Sequence, residues 1–209
     1  MVDTIYSIGY SGFSIDDFIN SIRSKEISAV VDVRSLPYSK FFSDYNKDCL
    51  EQKLKRAGIF YRNYATEFGA KQDEKRYFSK ENYLDFELFA KSISFLKGFD
   101  KLKDGMAQNY SFVLMCAEKD PINCHRTILV SRCFHDAGYK VIHLLPNNIT
   151  MTQDAIENRL LKKYFPNIDK NQTTLFDNID NSYYISRAYK KRNAEIGCSI
   201  GEEENMETI

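Results

Sequence analysis

Leu114-Met-Cys-Ala-Glu-Lys-Asp-Pro-Ile-Asn-Cys-His-Arg126 is the stretch that decides the fold. A run of strand formers, Tyr110 to Met115, stops at Cys116 and Glu118, and Asp120 with Pro121 then opens a helix carrying Cys124, His125 and Arg126 in its first turns. Strand, short polar loop and helix start form the junction at which open parallel sheets bind ligands. A thiol, a carboxylate, an imidazole and a guanidinium are concentrated there.

Working outward, the same alternation repeats. Thr4 to Ile8 reads as a strand ending at Gly9-Tyr-Ser-Gly12. Ser14 with Asp17 makes a helix-starting cap, and Ile15, Phe18, Ile19 and Ile22 follow at helical spacing. Ser28 to Val33 is an almost wholly apolar second strand, as expected where both faces are covered. Asp48 to Ala57 is a helix stopped by Gly58, Ile59 to Tyr64 a third strand, and Glu81 to Leu102 one or two helices; residues 65 to 79 are the least regular. After the fourth strand, a helix from Pro121 to Ala137 and a strand from Lys140 to Leu145 complete another unit, and a helix from Thr152 to Phe165 packs against it. The pattern predicts a three-layer, Rossmann-like α/β domain over residues 1 to 165, its mainly parallel sheet of about five strands flanked by helices. Residues 166 to 209 read as a tail with a basic, Tyr-rich helix over 182 to 197 and a disordered end from Gly201.

Composition narrows the classes. Lys plus Arg and Asp plus Glu both number 29, so an overall basic footprint for nucleic acid is absent and a local patch would have to serve instead. No apolar run has the length of a membrane span and the N-terminus lacks a signal-type core, so a cytoplasmic protein without membrane partners is expected. The five cysteines form no evident disulfide framework.

Three strand ends supply the candidate site: Gly9, Tyr10 and Ser11 from the first strand, Asp32 and Arg34 from the second, Cys116 and Glu118 from the fourth. If these strands are parallel and adjacent, the residues are neighbours. On a helical wheel Arg126 falls in the middle of the apolar face, so its head must reach the sheet edge and meet an anion: Asp32, Glu118 or a ligand phosphate. Cys124 points away from that face and His125 lies near its margin. A helix N-terminus and an arginine lower a thiol pKa, and Cys116, at a strand end, is the better placed nucleophile. Zinc is not expected, because Cys116, Cys124 and His125 lack ligand-pair spacing and His135 and His143 read as structural. Gly9-Tyr-Ser-Gly12 has neither the dinucleotide spacing nor a phosphate-loop lysine, so no cofactor is expected.

Gln172-Thr-Thr-Leu-Phe176 in the tail resembles the short bacterial peptide that binds the DNA sliding clamp through its glutamine and terminal Leu-Phe. The competing reading is a Leu175-Phe176 pin fastening the tail to the domain.

Thr4-Ile-Tyr-Ser-Ile-Gly-Tyr-Ser11, Val31-Asp-Val-Arg-Ser-Leu-Pro-Tyr-Ser39 and Leu114-Met-Cys-Ala-Glu118 through Cys124-His-Arg126 resemble family 488 of the bacterial domains of unknown function, over residues 4 to 145. Phe68-Gly-Ala70 stands where members of that family carry Leu-Gly-Gly. The resemblance implies a compact α/β domain with its signature residues at one sheet edge, and no particular reaction.

Three functional readings follow. In the first, the protein is a hydrolase- or transferase-type enzyme acting on a phosphate-bearing nucleotide or nucleic acid, in a setting such as DNA repair. Arg34, Arg126 and Ser11 hold phosphate, Asp32 or Glu118 is the general acid–base, and Tyr10, Tyr38 and Phe41 stack on a base. The second is a nucleotide or nucleic-acid binding module without chemistry. The third is a closed structural ion network of Asp32, Arg34, Glu118 and Arg126.

Overall fold

The computed structural model describes residues 3–167 and 181–200. In chain order the elements are β1 (Thr4–Gly9), α1 (Ile15–Arg23), β2 (Ala29–Asp32), α2 (Lys47–Arg56), β3 (Phe60–Asn63), α3 (Ala65–Phe68), α4 (Phe86–Phe89), α5 (Ile93–Ala107) and β4 (Phe112–Cys116). A helix that is π-wound over Arg126–Ser131 then continues as α6 (Arg132–Asp136), followed by β5 (Lys140–Leu144), β6 (Thr150–Thr152), α7 (Gln153–Tyr164) and α8 (Asn181–Ile196). Ser14 starts α1 as the sequence predicts, its hydroxyl accepting from the Asp17 backbone N–H at 3.1 Å.

One sheet runs in the order β3-β2-β4-β1-β5-β6. Its first five strands are mutually parallel, and β6, absent from the sequence reading, adds an antiparallel edge. Both faces are covered. Phe18 and Ile22 of α1 and Leu50 and Leu54 of α2 pack with Ile8, Val30, Val113 and Met115. On the other face Phe68, Phe89, Phe95, Leu102, Leu160 and Tyr189 pack with Ile5, Val31 and Leu114. Along β4 the side chains alternate between these two cores, the period of a strand buried on both sides. Each large apolar side chain so buried contributes about 1.5–3 kcal/mol.

The topology also fixes where a ligand can bind. β1, β2 and β3 are linked by α1 and α2 on one face, whereas the chain passes from β3 through β4 to β5 by helices on the other face and in the opposite direction along the sheet. Crossovers of one hand on opposite faces must run in opposite directions. The chain therefore diverges where it leaves the neighbouring strands β2 and β4, which opens a crevice at their C-terminal ends.

The segment after β4 departs from the predicted single helix. Pro121–Asn123 makes one 3-10 turn, Cys124 is extended (φ −128°, ψ 135°), and the helix begins only at His125. Arg126 through Ser131 are all buried, as the wider π turn allows. A wheel counted from Pro121 is out of phase with this geometry; Cys124 is 1 % exposed and faces inward.

Beyond residue 165, α8 packs back onto the α/β body. Its Arg192 donates to the Ile122 carbonyl at 2.8 Å and to Asn123, and Asn193 bridges to the backbone of Leu84 and Phe86. Gln172, Leu175 and Phe176, like the segment from Gly201, lie outside the described residues. No helix among the described residues is long and apolar enough to cross a membrane.

Candidate active site

Because β2, β4 and β1 are consecutive in the sheet, their ends at Asp32, Cys116 and Gly9 stand side by side. Gly9 is required here by close approach. A Cβ at this position would sit 1.8 Å from the Glu118 carbonyl oxygen and 2.9 Å from Arg126 Nη2. The loop after β4 lies directly on the end of β1, which also accepts it through Ser11 N–H donating to the Ala117 carbonyl at 3.0 Å.

Asp32 and Arg34 form the inner wall. Asp32 is 0 % exposed and accepts from Arg34 Nε at 2.9 Å, Arg34 Nη2 at 2.6 Å and the Tyr61 hydroxyl at 2.7 Å. Burial opposes the charge of Arg34, but the Asp32 carboxylate outweighs it and holds the guanidinium pKa above its ordinary value. Burial and Asp32 likewise push the Tyr61 hydroxyl up, keeping it a donor. Arg34 lies 5.1 Å over the Tyr10 ring, which stacks on Tyr45 at 4.3 Å. Arg34 Nη1 has no hydrogen-bond partner among the described residues.

The second group is Cys116, Glu118, Cys124, His125 and Arg126. Cys124 Sγ donates to Glu118 Oε2 at 2.7 Å. His125 Nε2 donates to the Val33 carbonyl at 2.9 Å, leaving Nδ1 toward Cys116 Sγ at 3.8 Å. Arg126, 0 % exposed, donates through Nη1 to the Glu118 carbonyl at 2.7 Å; its Nε and Nη2 lack hydrogen-bond partners among the described residues. Its carboxylate neighbour is more distant, with Glu118 Oε2 at 3.9 Å.

The charges in this group are interdependent. Burial and the Cys124 sulfur push Glu118 up to about 7. Burial resists ionisation of Cys124 too, yet hydrogen bonding with Cys116 and the positive Arg126 and His125 bring its pKa well below that of an ordinary thiol. Cys116 moves the other way, raised by burial and by Cys124, and remains a thiol. Of the two thiols Cys124 is thus the more acidic, and Arg126 and His125 favour its ionised form.

A cleft of about 120 Å³ opens between the two groups. Tyr10, Arg34, Tyr38, Cys116, Glu118 and His125 line it, joined by Ser35, Leu36, Lys71 and Asn123 and by Ile196 and Cys198 from the C-terminal segment. Asp32, Cys124 and Arg126 sit behind this surface, and Gly9 at the end of β1 and Ser11 in the turn after it support it. Phe41 is exposed outside the lining. Lys71 escapes a sequence reading because only a long-range contact, its N–H on Ser35 Oγ at 2.8 Å, brings it in.

The model of the DUF488 family, described as a domain of unknown function, matches residues 14–133, more than half of the chain. The chain belongs to the DUF488 family. No curated protein and no solved structure matches it. The matched DUF488 span holds Asp32, Arg34, Cys116, Glu118, Cys124, His125 and Arg126; Gly9 to Ser11 and the α8 segment contribute from outside it.

Proposed function

We propose that the cleft is the active site of a hydrolase- or transferase-type enzyme that receives the phosphate-bearing end of a nucleotide or nucleic acid. One observation carries this reading: Arg34, whose buried Nη1 has no hydrogen-bond partner among the described residues, lines the same cleft as a carboxyl group, Glu118. A buried donor left without a partner costs free energy, which an anionic ligand returns. Lys71 adds a second cation, and the Tyr10 and Tyr38 rings offer apolar faces to a base. The cleft admits a phosphoryl group or the edge of a ring rather than a whole nucleotide.

Of the two carboxylates, Glu118 is the general acid–base, since it lines the cleft while Asp32 is saturated by Arg34 and Tyr61. Arg126 is a positioning residue that holds the Glu118 loop through its carbonyl. In this reading Gln172, Leu175 and Phe176 tether the enzyme to the DNA sliding clamp in repair. A pull-down with residues 166 to 180 tests that part, and equal capture by the triple alanine variant removes it.

The central test is turnover of a panel of nucleotides and of single-stranded oligonucleotides with terminal phosphates, followed by mass spectrometry. Glu118→Gln is expected to lower the rate by about 10²–10⁴-fold with the fold intact. Saturable binding with no product from either protein would instead make the chain a binding module.

A further inference from the structure

The side chains that define the deep wall of the cleft have a property that phosphate recognition does not use. Cys116 Sγ, Cys124 Sγ and His125 Nδ1 all lie within 4.8 Å of one another, and all three residues are buried. We propose that these three atoms bind one thiophilic divalent ion, zinc by ligand type, with a fourth coordination position open to the cleft beside Glu118.

The spacing fits. With Zn–S near 2.3 Å and Zn–N near 2.0 Å, the edges of a tetrahedral site are roughly 3.3–3.8 Å. Cys116 Sγ and His125 Nδ1 are already 3.8 Å apart. The imidazole is oriented for ligation as well. Its Nε2–H is held by the Val33 carbonyl, which leaves the Nδ1 lone pair facing the sulfurs, the outer-shell arrangement that metal-ligating histidines use.

Charge gives an independent argument. A divalent ion with two thiolates is neutral, and the adjoining Arg126 and Glu118 cancel each other, so an occupied centre leaves no net charge in a buried place. The donor set is soft, which selects zinc over magnesium or calcium. Access completes the case: Cys116 and His125 line the cleft while Cys124 sits behind them. Three protein ligands with one position open to a cleft is the pattern of catalytic zinc; structural zinc is closed by four.

The site itself stands on its ligands, whereas its use rests on the reading of the cleft as a substrate site. Substrate chemistry would be hydrolysis. A water in the fourth position gives one proton to Glu118, its oxygen bonds to the electrophilic carbon or phosphorus, and the bond to the leaving group breaks. The leaving group departs with the electron pair and receives the proton from Glu118.

The full chain, produced in zinc-supplemented medium and desalted, would be assayed for metal by mass spectrometry and for free thiols. About one zinc per chain is expected, lost in Cys116→Ser and Cys124→Ser and retained in Cys49→Ser. Should the serine variants fail to fold, the wild type decides: metal-free protein given Co²⁺ alone must show thiolate-to-cobalt charge-transfer absorption and the d–d bands of tetrahedral coordination. Background zinc together with a featureless cobalt spectrum overturns the proposal, as does a Cys116–Cys124 disulfide in protein purified under reducing conditions. Bound zinc without turnover of any substrate leaves the centre and removes the enzyme. Turnover by metal-free protein leaves the enzyme and overturns the hydrolytic use of the metal, while the cobalt spectrum still decides the site.

Discussion

His143 and His125 are buried against the same face of the sheet, one within β5 and the other beyond the end of β4, and their partners differ in kind. His143 closes on the protein. Its Nδ1 meets Ser7 Oγ at 2.7 Å and its Nε2 meets Gln153 Oε1 at 2.8 Å; Gln153 passes the chain to Tyr189 and Tyr189 to Glu157. His125 instead belongs to a group that ends at a cleft and leaves Arg126 Nε and Nη2, and nearby Arg34 Nη1, without hydrogen-bond partners among the described residues. A Ser–His contact of 2.7 Å looks catalytic in isolation, yet Ser7 and His143 are both 0 % exposed and no substrate reaches them. Satisfaction and access, rather than residue type, separate a structural network from a site.

The comparison can be broken first at Gly9. Gly9→Ala places a methyl group on the Glu118 carbonyl, so the loop must move, and a loss of at least ~3 kcal/mol in denaturant unfolding is expected. An unchanged midpoint would mean that the loop is not seated on β1.

The next effect belongs to the closed network. Burial, aided by the charge of Arg126, depresses His143 to about 3, so the folded state keeps it neutral while the unfolded state takes up a proton below about 6.5. Stability is complete above that pH and is lost as pH falls toward 3. Between pH 7 and 4.5 this one residue should cost ~2–3 kcal/mol, and His143→Gln should flatten that part of the urea-midpoint profile.

Tyr38 tests the open side. It is 52 % exposed, so Tyr38→Ala should leave stability within ~0.5 kcal/mol. Binding of a base-containing ligand should weaken by ~1–3 kcal/mol, read by titration calorimetry. Equal affinity for the variant would remove Tyr38 from the site.

The smallest effect, screened by solvent because the Glu118 side chain is 34 % exposed, has the opposite pH sign to that of His143. Glu118 is raised to about 7 by burial and by Cys124, so in metal-free protein its protonated form favours folding and that contribution fades as pH rises from about 4.5 to 7. Glu118→Gln should melt slightly above the wild type at pH 8 and level with it at pH 4. A variant that melts lower at pH 8 would show the carboxylate to be stabilising.

The sequence exposes the sheet more readily than the site. Apolar runs at Ile5 to Ile8, Val30 to Val33 and Val113 to Met115 can only be strands covered on both faces, and their alternation with helical spacing sets a parallel sheet with its polar ends on one edge. β6 carries three residues, Thr150 to Thr152, too few for a period to show. The Asp32–Arg34 ion pair is also legible, because side chains two apart at a strand end lie on one side. The grouping of Cys116, Cys124 and His125 is not. It depends on a 3-10 turn and an extended Cys124 in place of a helix from Pro121, a choice stabilised from far away by Arg192 on the Ile122 carbonyl. Ligand spacing along the chain has no meaning for a turn whose shape is set by α8.

The π winding of Arg126–Ser131 has a bearing on how this chain can vary. Removing one residue between Thr127 and Ser131 would let the segment relax to ordinary 3.6-residue turns. Because a π turn holds about one residue more than an α turn, the flanks of that deletion would keep nearly the same phase. Phe134 could then keep its core against Phe99 and Tyr139 while His125 and Arg126 stay at the strand ends. A residue lost from α6, which has none to spare, would instead rotate one flank by about 100°, so a single-residue gap should be better tolerated in the π segment than in α6.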